Sequence, residues 1–415
     1  MSLNAREKEM SFMKSAVLIL SVVLLWHAGQ VSAQANPFVE SFRHGLDAED
    51  QGKLDEAITY YNEAIKTQPN SAHAWAKRGE AQLRRNDPQS AIRDLLQATK
   101  LDPGYAAAFS RLGFAYNAVN DFDKAIEALT TAVSLDPSAS EALNTRGFAY
   151  NGKNDYENAI KDFDKAIRLN SKDARYYNNR GFALNGKYEY DRAIDDFNRA
   201  IQIDPSKAMF YNNRGVAYLR KKEFDRSLED FDKTLKIDST FASAYHNRGM
   251  ALSGKGRHEK AIEEFSKVIE LNPSSPILYK DRGTAYRKLG EYDLAVKDLE
   301  KSIELDKKFA PGYAALALLY ATASNPSFRN PGHALKLAEK GVGLTRGESP
   351  DILESLAEVQ HAANQIPAAL ATMQKVLALD PDNKEYSELL AKWQGSATPV
   401  QATQQARTTP FTTLW

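Results

Sequence analysis

Six arginines in this 415-residue chain recur at multiples of 34 residues, and each is followed sixteen residues later by a carboxylate. Arg78 is followed by Asp94, Arg146 by Asp162, Arg180 by Asp196, Arg214 by Asp230, Arg248 by Glu264 and Arg282 by Asp298. A guanidinium and a carboxylate can form a two-point, charge-assisted pair, so the spacing supplies the chemistry of an ion-pair ladder. Where the arginine is absent the acid is absent too: His44 goes with Tyr60, Leu112 with Ala128 and Leu316 with Leu337. Such co-occurrence favours internal salt bridges over a row of arginines that binds anions. The second recurrent chemistry is the amide. Asn144, Asn178 and Asn212, then His246, recur in one phase, with Asn179, Asn213 and Asn247 beside the last three. Asn117, Asn151 and Asn185 recur in another. Asparagine is a poor helix former, but its amide both donates and accepts, which suits it to the backbone of an extended peptide.

Reactive chemistry is harder to assemble. The chain has no cysteine, so thiolate catalysis, disulfides and cysteine-ligated zinc are excluded. Its seven histidines, at 27, 44, 73, 246, 258, 333 and 361, form no His-x-x-x-His pair with a glutamate. No complete phosphate-cradling Gly-x-x-x-x-Gly-Lys-Ser/Thr motif and no Gly-x-Ser-x-Gly elbow occurs. The abundant acids read as solvated helix faces. Neither a metal nor a cofactor is expected. Lys+Arg and Asp+Glu are equal at 54 each, which argues against nucleic acid as a partner, because such binders carry a basic excess.

What positions these residues is a period. Gly45, Gly79, Gly113, Gly147, Gly181, Gly215, Gly249 and Gly283 are each 34 residues apart. Twelve residues after them come Ala57, Ala91, Ala125, Ala159, Ala193, Ser227, Ala261 and Ala295. Four before most of them stands a ring: Trp75, Phe109, Tyr177, Tyr211, Tyr245 and Tyr279. A proline recurs at 69, 103, 137, 205 and 273. The two groups of small and ring positions each fall on one stripe of a helix, so each period is two short amphipathic helices. Acids open the second helix (Asp123, Glu157, Asp191, Asp225, Glu259, Asp293), where the dipole favours them. Recurrent Leu-Asp-Pro closes it, because a residue before proline avoids helical geometry. A mid-helix glycine costs about 1 kcal/mol against alanine, so its recurrence implies close packing, here with the alanine twelve residues on. One helix pair cannot bury its own apolar face, so neighbours must stack.

The pattern resembles the tetratricopeptide repeat: large residue at position 4, Gly at 8, Tyr at 11, Ala at 20, aromatic at 24, Ala at 27 and Pro at 32. The resemblance implies an all-α, right-handed superhelical α-solenoid of about ten helix-turn-helix repeats. Eight regular repeats start at 38, 72, 106, 140, 174, 208, 242 and 276; the ninth, 310–349, carries an insertion near Asn325–Asn330, and the tenth is 350–383. A capping helix is expected over 384–394 and a disordered tail over 395–415. Before the repeats, Lys14, the apolar run from Ala16 to Trp26 and Val31-Ser32-Ala33 read as a signal peptide, 1–33, followed by a short linker, 34–37. The run is too short to span a bilayer at roughly 20 residues, so membrane contact is expected only through this segment if it stays uncleaved.

The resemblance further implies that the first helix of each repeat lines a concave groove through positions 2, 5, 6, 9, 12 and 13. That places Asn144, Asn178, Asn212 and His246 (position 5), Asn179, Asn213 and Asn247 (6), and Asn117, Asn151 and Asn185 (12) on the partner-binding face. The stack is similar to the asparagine ladder of O-GlcNAc transferases, and Phe148 and Phe182 at position 9 would add apolar contacts. The chaperone-tail clamp of some members needs Lys at 5 and Asn at 9, which this chain lacks. The expected function is a non-catalytic adaptor for protein or extended-peptide partners, exported to the periplasm or beyond. The alternatives are a cell-envelope assembly or export factor that captures extended clients and, further off, the repeat module of an enzyme complex. The sequence sets no oligomeric state.

Overall fold

The computed structural model describes residues 36–381 and 383–396. The expected leader 1–33 and the tail from 397 onward lie outside the described residues. The chain divides into two compact units, one up to Asp155 and one from Tyr156. The first holds α1 (Pro37–Asp50), α2 (Leu54–Thr67), α3 (Ala72–Arg84), α4 (Pro88–Leu101), α5 (Ala106–Ala118), α6 (Phe122–Leu135) and α7 (Ser140–Gly152). The second holds α8 (Tyr156–Leu169), α9 (Ala174–Gly186), α10 (Tyr190–Ile203), α11 (Ala208–Arg220), α12 (Phe224–Ile237), α13 (Ala242–Gly254) and α14 (His258–Leu271). It continues with α15 (Pro276–Leu289), α16 (Tyr292–Leu305), α17 (Ala310–Thr322), α18 (Pro331–Leu344), α19 (Pro350–Ala362), α20 (Ile366–Leu379) and α21 (Lys384–Ser396). No strand occurs among the described residues. The insertion of the ninth repeat is a short 3-10 turn, Pro326–Phe328.

Inside each unit, the odd-numbered helices up to α19 are the first helices of repeats, and all but α7 pack on the even-numbered helix that follows in the same unit. First helices also touch the first helix of the next repeat, as α9 touches α11 and α11 touches α13, so they form the inner side of the stack. The turn between paired helices needs one residue in the left-handed region. Asn86, Asn120, Asn154 and Gly256 supply it cheaply, whereas Tyr188 and Lys222 adopt it at φ 64° and 61°, against their intrinsic preference. The Asp that follows the second helix adds its own stop: Asp204 Oδ1 accepts from the Ser206 amide at 3.0 Å, and Asp238 Oδ1 from the Thr240 amide at 2.9 Å. These Asx turns compete with helical bonding.

The recurrent glycine makes room mainly for the side chain at position 24, not only for the alanine at 20. A Cβ on Gly215 would lie 2.7 Å from the buried Phe231 ring, and one on Gly249 2.6 Å from Phe265. The ring thus passes beneath the first helix with its face against bare backbone.

Five of the six sixteen-residue ion pairs lie within one unit, and these form. Arg214 Nε and Nη2 donate to the two oxygens of Asp230 at 2.8 and 2.6 Å. Arg180 and Asp196 (2.8 and 2.6 Å), Arg282 and Asp298 (2.7 and 2.9 Å), and Arg78 and Asp94 (2.6 and 2.7 Å) do the same. Arg248 directs both donors at one oxygen of Glu264. Arg146 and Asp162 belong to different units. A third donor reaches back to position 25 of the preceding repeat: Arg214 Nη1 to Asn198, Arg180 to Asp164, Arg248 to Asp232, Arg282 to Ser266, Arg78 to Asn62 and Arg146 to Thr130. Each of the five arginines paired within one unit therefore fixes a hairpin and its seam with the repeat before. The Asp230 carboxylate holds the Arg214 guanidinium above its ordinary value, and Tyr211 and Tyr218 present ring faces to it. Asp230 is buried, so Arg214→Met strands a charge. The expected loss is about 3–5 kcal/mol, read as a lowered urea midpoint, and Arg214→Met with Asp230→Leu should restore most of it.

Candidate functional site

The asparagines expected on the binding face are distributed in layers. Asn178 is 3 % exposed and Asn212 is buried as well. Asn178 Oδ1 accepts from Asn213 Nδ2 at 2.9 Å, and Asn212 Oδ1 accepts from Asn247 Nδ2 at 3.1 Å. Asn178 in turn donates to Asn179 Oδ1 at 3.2 Å, and Asn212 to Asn213 Oδ1 at 3.4 Å. The rung of the next repeat changes chemistry and keeps its geometry: His246 Nε2 meets Asp281 Oδ2 at 2.7 Å. Position 5 of one repeat is thus joined to position 6 of the next, from α9 to α15. These amides are taken up inside the stack. The cause is the close approach of first helices, which leaves side chains at position 5 between neighbours, and a buried amide must find a partner.

Position 12 is similar in the first unit. Asn117 is buried and its Nδ2 donates to the Thr145 carbonyl at 2.9 Å. Asn144 and Asn151 are buried, while Asn179, Asn185, Asn213, His246 and Asn247 are half-buried. The ladder therefore supplies register, and only its position-6 members, with Asn185 and His246, reach toward solvent.

What stands free is apolar. Phe148 in the first unit is 49 % exposed and Phe182 in the second 50 %. Sequence reasoning passed over three more: Phe114 in the first unit, Met209 and Ile277 in the second, all exposed. Phe114 was legible, since it lies 34 residues before Phe148. Met209 and Ile277 occupy position 2, two helical turns from position 9 and on the same stripe. Met250 at position 9 is exposed too.

The end of the second unit is charged. Arg287 on α15 donates to the Thr322 hydroxyl at 3.2 Å, and burial lowers its affinity for the proton. Glu354 and Glu358 lie one turn apart on α19. Burial first, then Glu358, Asp351 and Glu385, push the Glu354 carboxyl up to about 7. Tyr386 on α21 donates to Asp351 Oδ1 at 2.9 Å, and His361 stacks on Trp393 at 4.4 Å. No group of three or more His, Asp or Glu poised to hold a metal is found among the described residues, and none of their helices is long and apolar enough to cross a membrane.

Models of the tetratricopeptide repeat match residues 42–106, 82–147, 140–173, 189–222, 208–241 and 240–308. With the hairpin stack and its motif residues, the chain belongs to the tetratricopeptide repeat family. It is similar to a tetratricopeptide repeat protein from Parabacteroides merdae, with TM-score 0.50 and 22 % identity over 59 % of this chain and 97 % of that one. The yeast Tom70 structure aligns with TM-score 0.44 and 14 % identity over 90 % of this chain and 97 % of its own. A rice protein, TPR repeat-containing thioredoxin TDX, is 48 % identical over 50 residues, 12 % of this chain and 16 % of that protein. The chain spans about a sixth of that relative. Having no cysteine, it carries none of the thiols that disulfide exchange requires.

The raised Glu354 gives a signed pH dependence. Between the ordinary carboxylate value of 4.5 and about 7, the folded chain binds more protons than the unfolded chain. Stability from this group is therefore full below the ordinary value and is lost as pH rises through about 7. Glu354→Gln should raise the melting temperature at pH 8 and leave it unchanged at pH 4, measured by calorimetry at the two values.

Proposed function

We propose that the protein is an exported, non-catalytic adaptor that holds an extended protein segment against the first helices of its repeats. The observation that carries this reading is the row of half-exposed phenylalanines at position 9, with Phe114 and Phe148 repeated at one register in the first unit. A soluble protein gains nothing from repeating a bare ring on its inner side, and large exposed apolar groups mark interaction surfaces. The half-buried amides beside the apolar row offer bonds to a peptide backbone independent of its sequence. Export rests on the apolar leader and the Val-Ser-Ala site at 31–33, and the mature chain would begin at Gln34.

Affinity capture from a cell-envelope fraction, with cross-linking and mass spectrometry, tests the reading. Phe114→Ser with Phe148→Ser should reduce capture at least tenfold with a melting temperature close to wild type. Asn178→Ala with Asn212→Ala should instead lower stability by about 1–3 kcal/mol, since each change leaves buried amide groups without partners. Undiminished capture by the phenylalanine variant would move the contact surface elsewhere. One dominant captured protein marks an adaptor, and many unrelated ones mark a factor for extended clients.

A further inference from the structure

The second unit exposes Phe182, Met209, Met250 and Ile277 on first helices, and the chain itself contains a segment suited to cover them. Residues 397–415, Ala-Thr-Pro-Val-Gln-Ala-Thr-Gln-Gln-Ala-Arg-Thr-Thr-Pro-Phe-Thr-Thr-Leu-Trp, carry one charge, Arg407, and end in three large apolar residues, Phe411, Leu414 and Trp415. We propose that Pro410–Trp415 binds the inner side of the first helices in the second unit as an internal competitor for the partner segment. The inference rests on the reading that this face takes extended segments, and it names one occupant.

Three observations support it. The first is where the segment starts. Lys222, in the turn after α11, pairs with Glu385 in the first turn of α21. The root of the segment is thereby tied to the repeat that carries Met209. From Glu385 along α21 to Ser396 is about 17 Å, and α11 is about 20 Å long, at 1.5 Å per residue. Nineteen further residues reach up to about 65 Å when extended, enough to lie across α9, α11 and α13.

The second is charge. Positions 5, 6 and 9 of the repeats built on α9 and α11 are Asn178, Asn179, Phe182, Asn212, Asn213 and Val216, none of them charged. A segment with many charges would lose hydration there without a counter-ion, whereas Thr-Thr-Pro-Phe-Thr-Thr-Leu loses little.

The third is spacing. Phe411 and Leu414 are three residues apart, about 9 Å along a polyproline II segment, whose three residues per turn place both side chains on one face. Packed helices stand 8–10 Å apart, so the two side chains fit apolar residues on neighbouring first helices. A tethered segment acts at an effective concentration near the millimolar range. Weak contacts are therefore enough to exclude a free competitor, and a true partner must bind more tightly or share the same Phe-x-x-Leu pattern.

The test uses a fluorescein-labelled peptide, Thr-Gln-Gln-Ala-Arg-Thr-Thr-Pro-Phe-Thr-Thr-Leu-Trp, titrated by anisotropy into full-length protein and into full-length Phe411→Ser with Leu414→Ser. The double variant should bind the peptide at least tenfold more tightly than wild type. Adding Phe182→Ser and Met250→Ser to it should abolish that binding, with far-UV melts confirming an intact fold. Photo-cross-linking from a benzoylphenylalanine at position 411 of the full chain should give intramolecular adducts on α9 to α13. No binding to the double variant, equal affinity for both chains, indifference to Phe182 and Met250, or adducts only between molecules would each overturn the inference. Capture of envelope partners through Phe114 and Phe148 is an independent readout. If it persists while the peptide fails, this inference falls and the adaptor reading stands.

Discussion

The arginine at position 7 is the interaction on which the stack depends. It spends two donors on the acid of its own second helix and one on the preceding repeat, as Arg214 does with Asp230 and Asn198. An isolated surface ion pair contributes little. Here one planar group with a fixed fork geometry satisfies a buried carboxylate and sets both the angle within a hairpin and the register of the next. The glycine at position 8 and the ring at position 24, as in Gly215 over Phe231, fill the space beside it. The polar fork and the apolar contact therefore specify the same geometry, and that agreement between levels is what selects one structure.

The fold was legible because its determinants are periodic. A 34-residue recurrence of glycine, alanine, ring and proline identifies hairpins without any knowledge of partners, and the linked loss of Arg and acid in three repeats revealed the ion pair. The back-bond to position 25 was present in the same pattern and was overlooked: Asn62, Thr130, Asp164, Asn198, Asp232 and Ser266 each precede an arginine repeat, while Leu96 precedes Leu112. The role of the glycine was half legible. Sequence pairs it with the alanine twelve residues on, but the atoms that a Cβ would meet first belong to residue 24.

The candidate site was less legible, for a physical reason. A helical wheel assigns direction, not depth. Positions 5 and 9 both point inward, yet the curvature that brings first helices together buries Asn178 and leaves Phe182 bare. Amide ladders look alike in sequence whether they hold a peptide or hold each other. Only Asn213 to Asn178 and Asn247 to Asn212 show that much of their hydrogen-bonding capacity is already committed. The charged end of the second unit, with Arg287, Glu354 and Glu358, has no repeat signature, because Arg287 and Glu354 each occur once in their phase and the glutamate at 358 recurs only at Glu80.

The reach of each arginine into the repeat behind it bears on how such an array can grow. A unit with an acid at 23 and a polar acceptor at 25 fits behind any unit that begins with the arginine, so duplication or loss of one 34-residue module leaves a seam that closes again. The junction of Leu96 with Leu112 does not follow that grammar, and it interrupts free exchange of modules there. Evolution could lengthen or shorten the array on the far side of that break without redesigning a single interface.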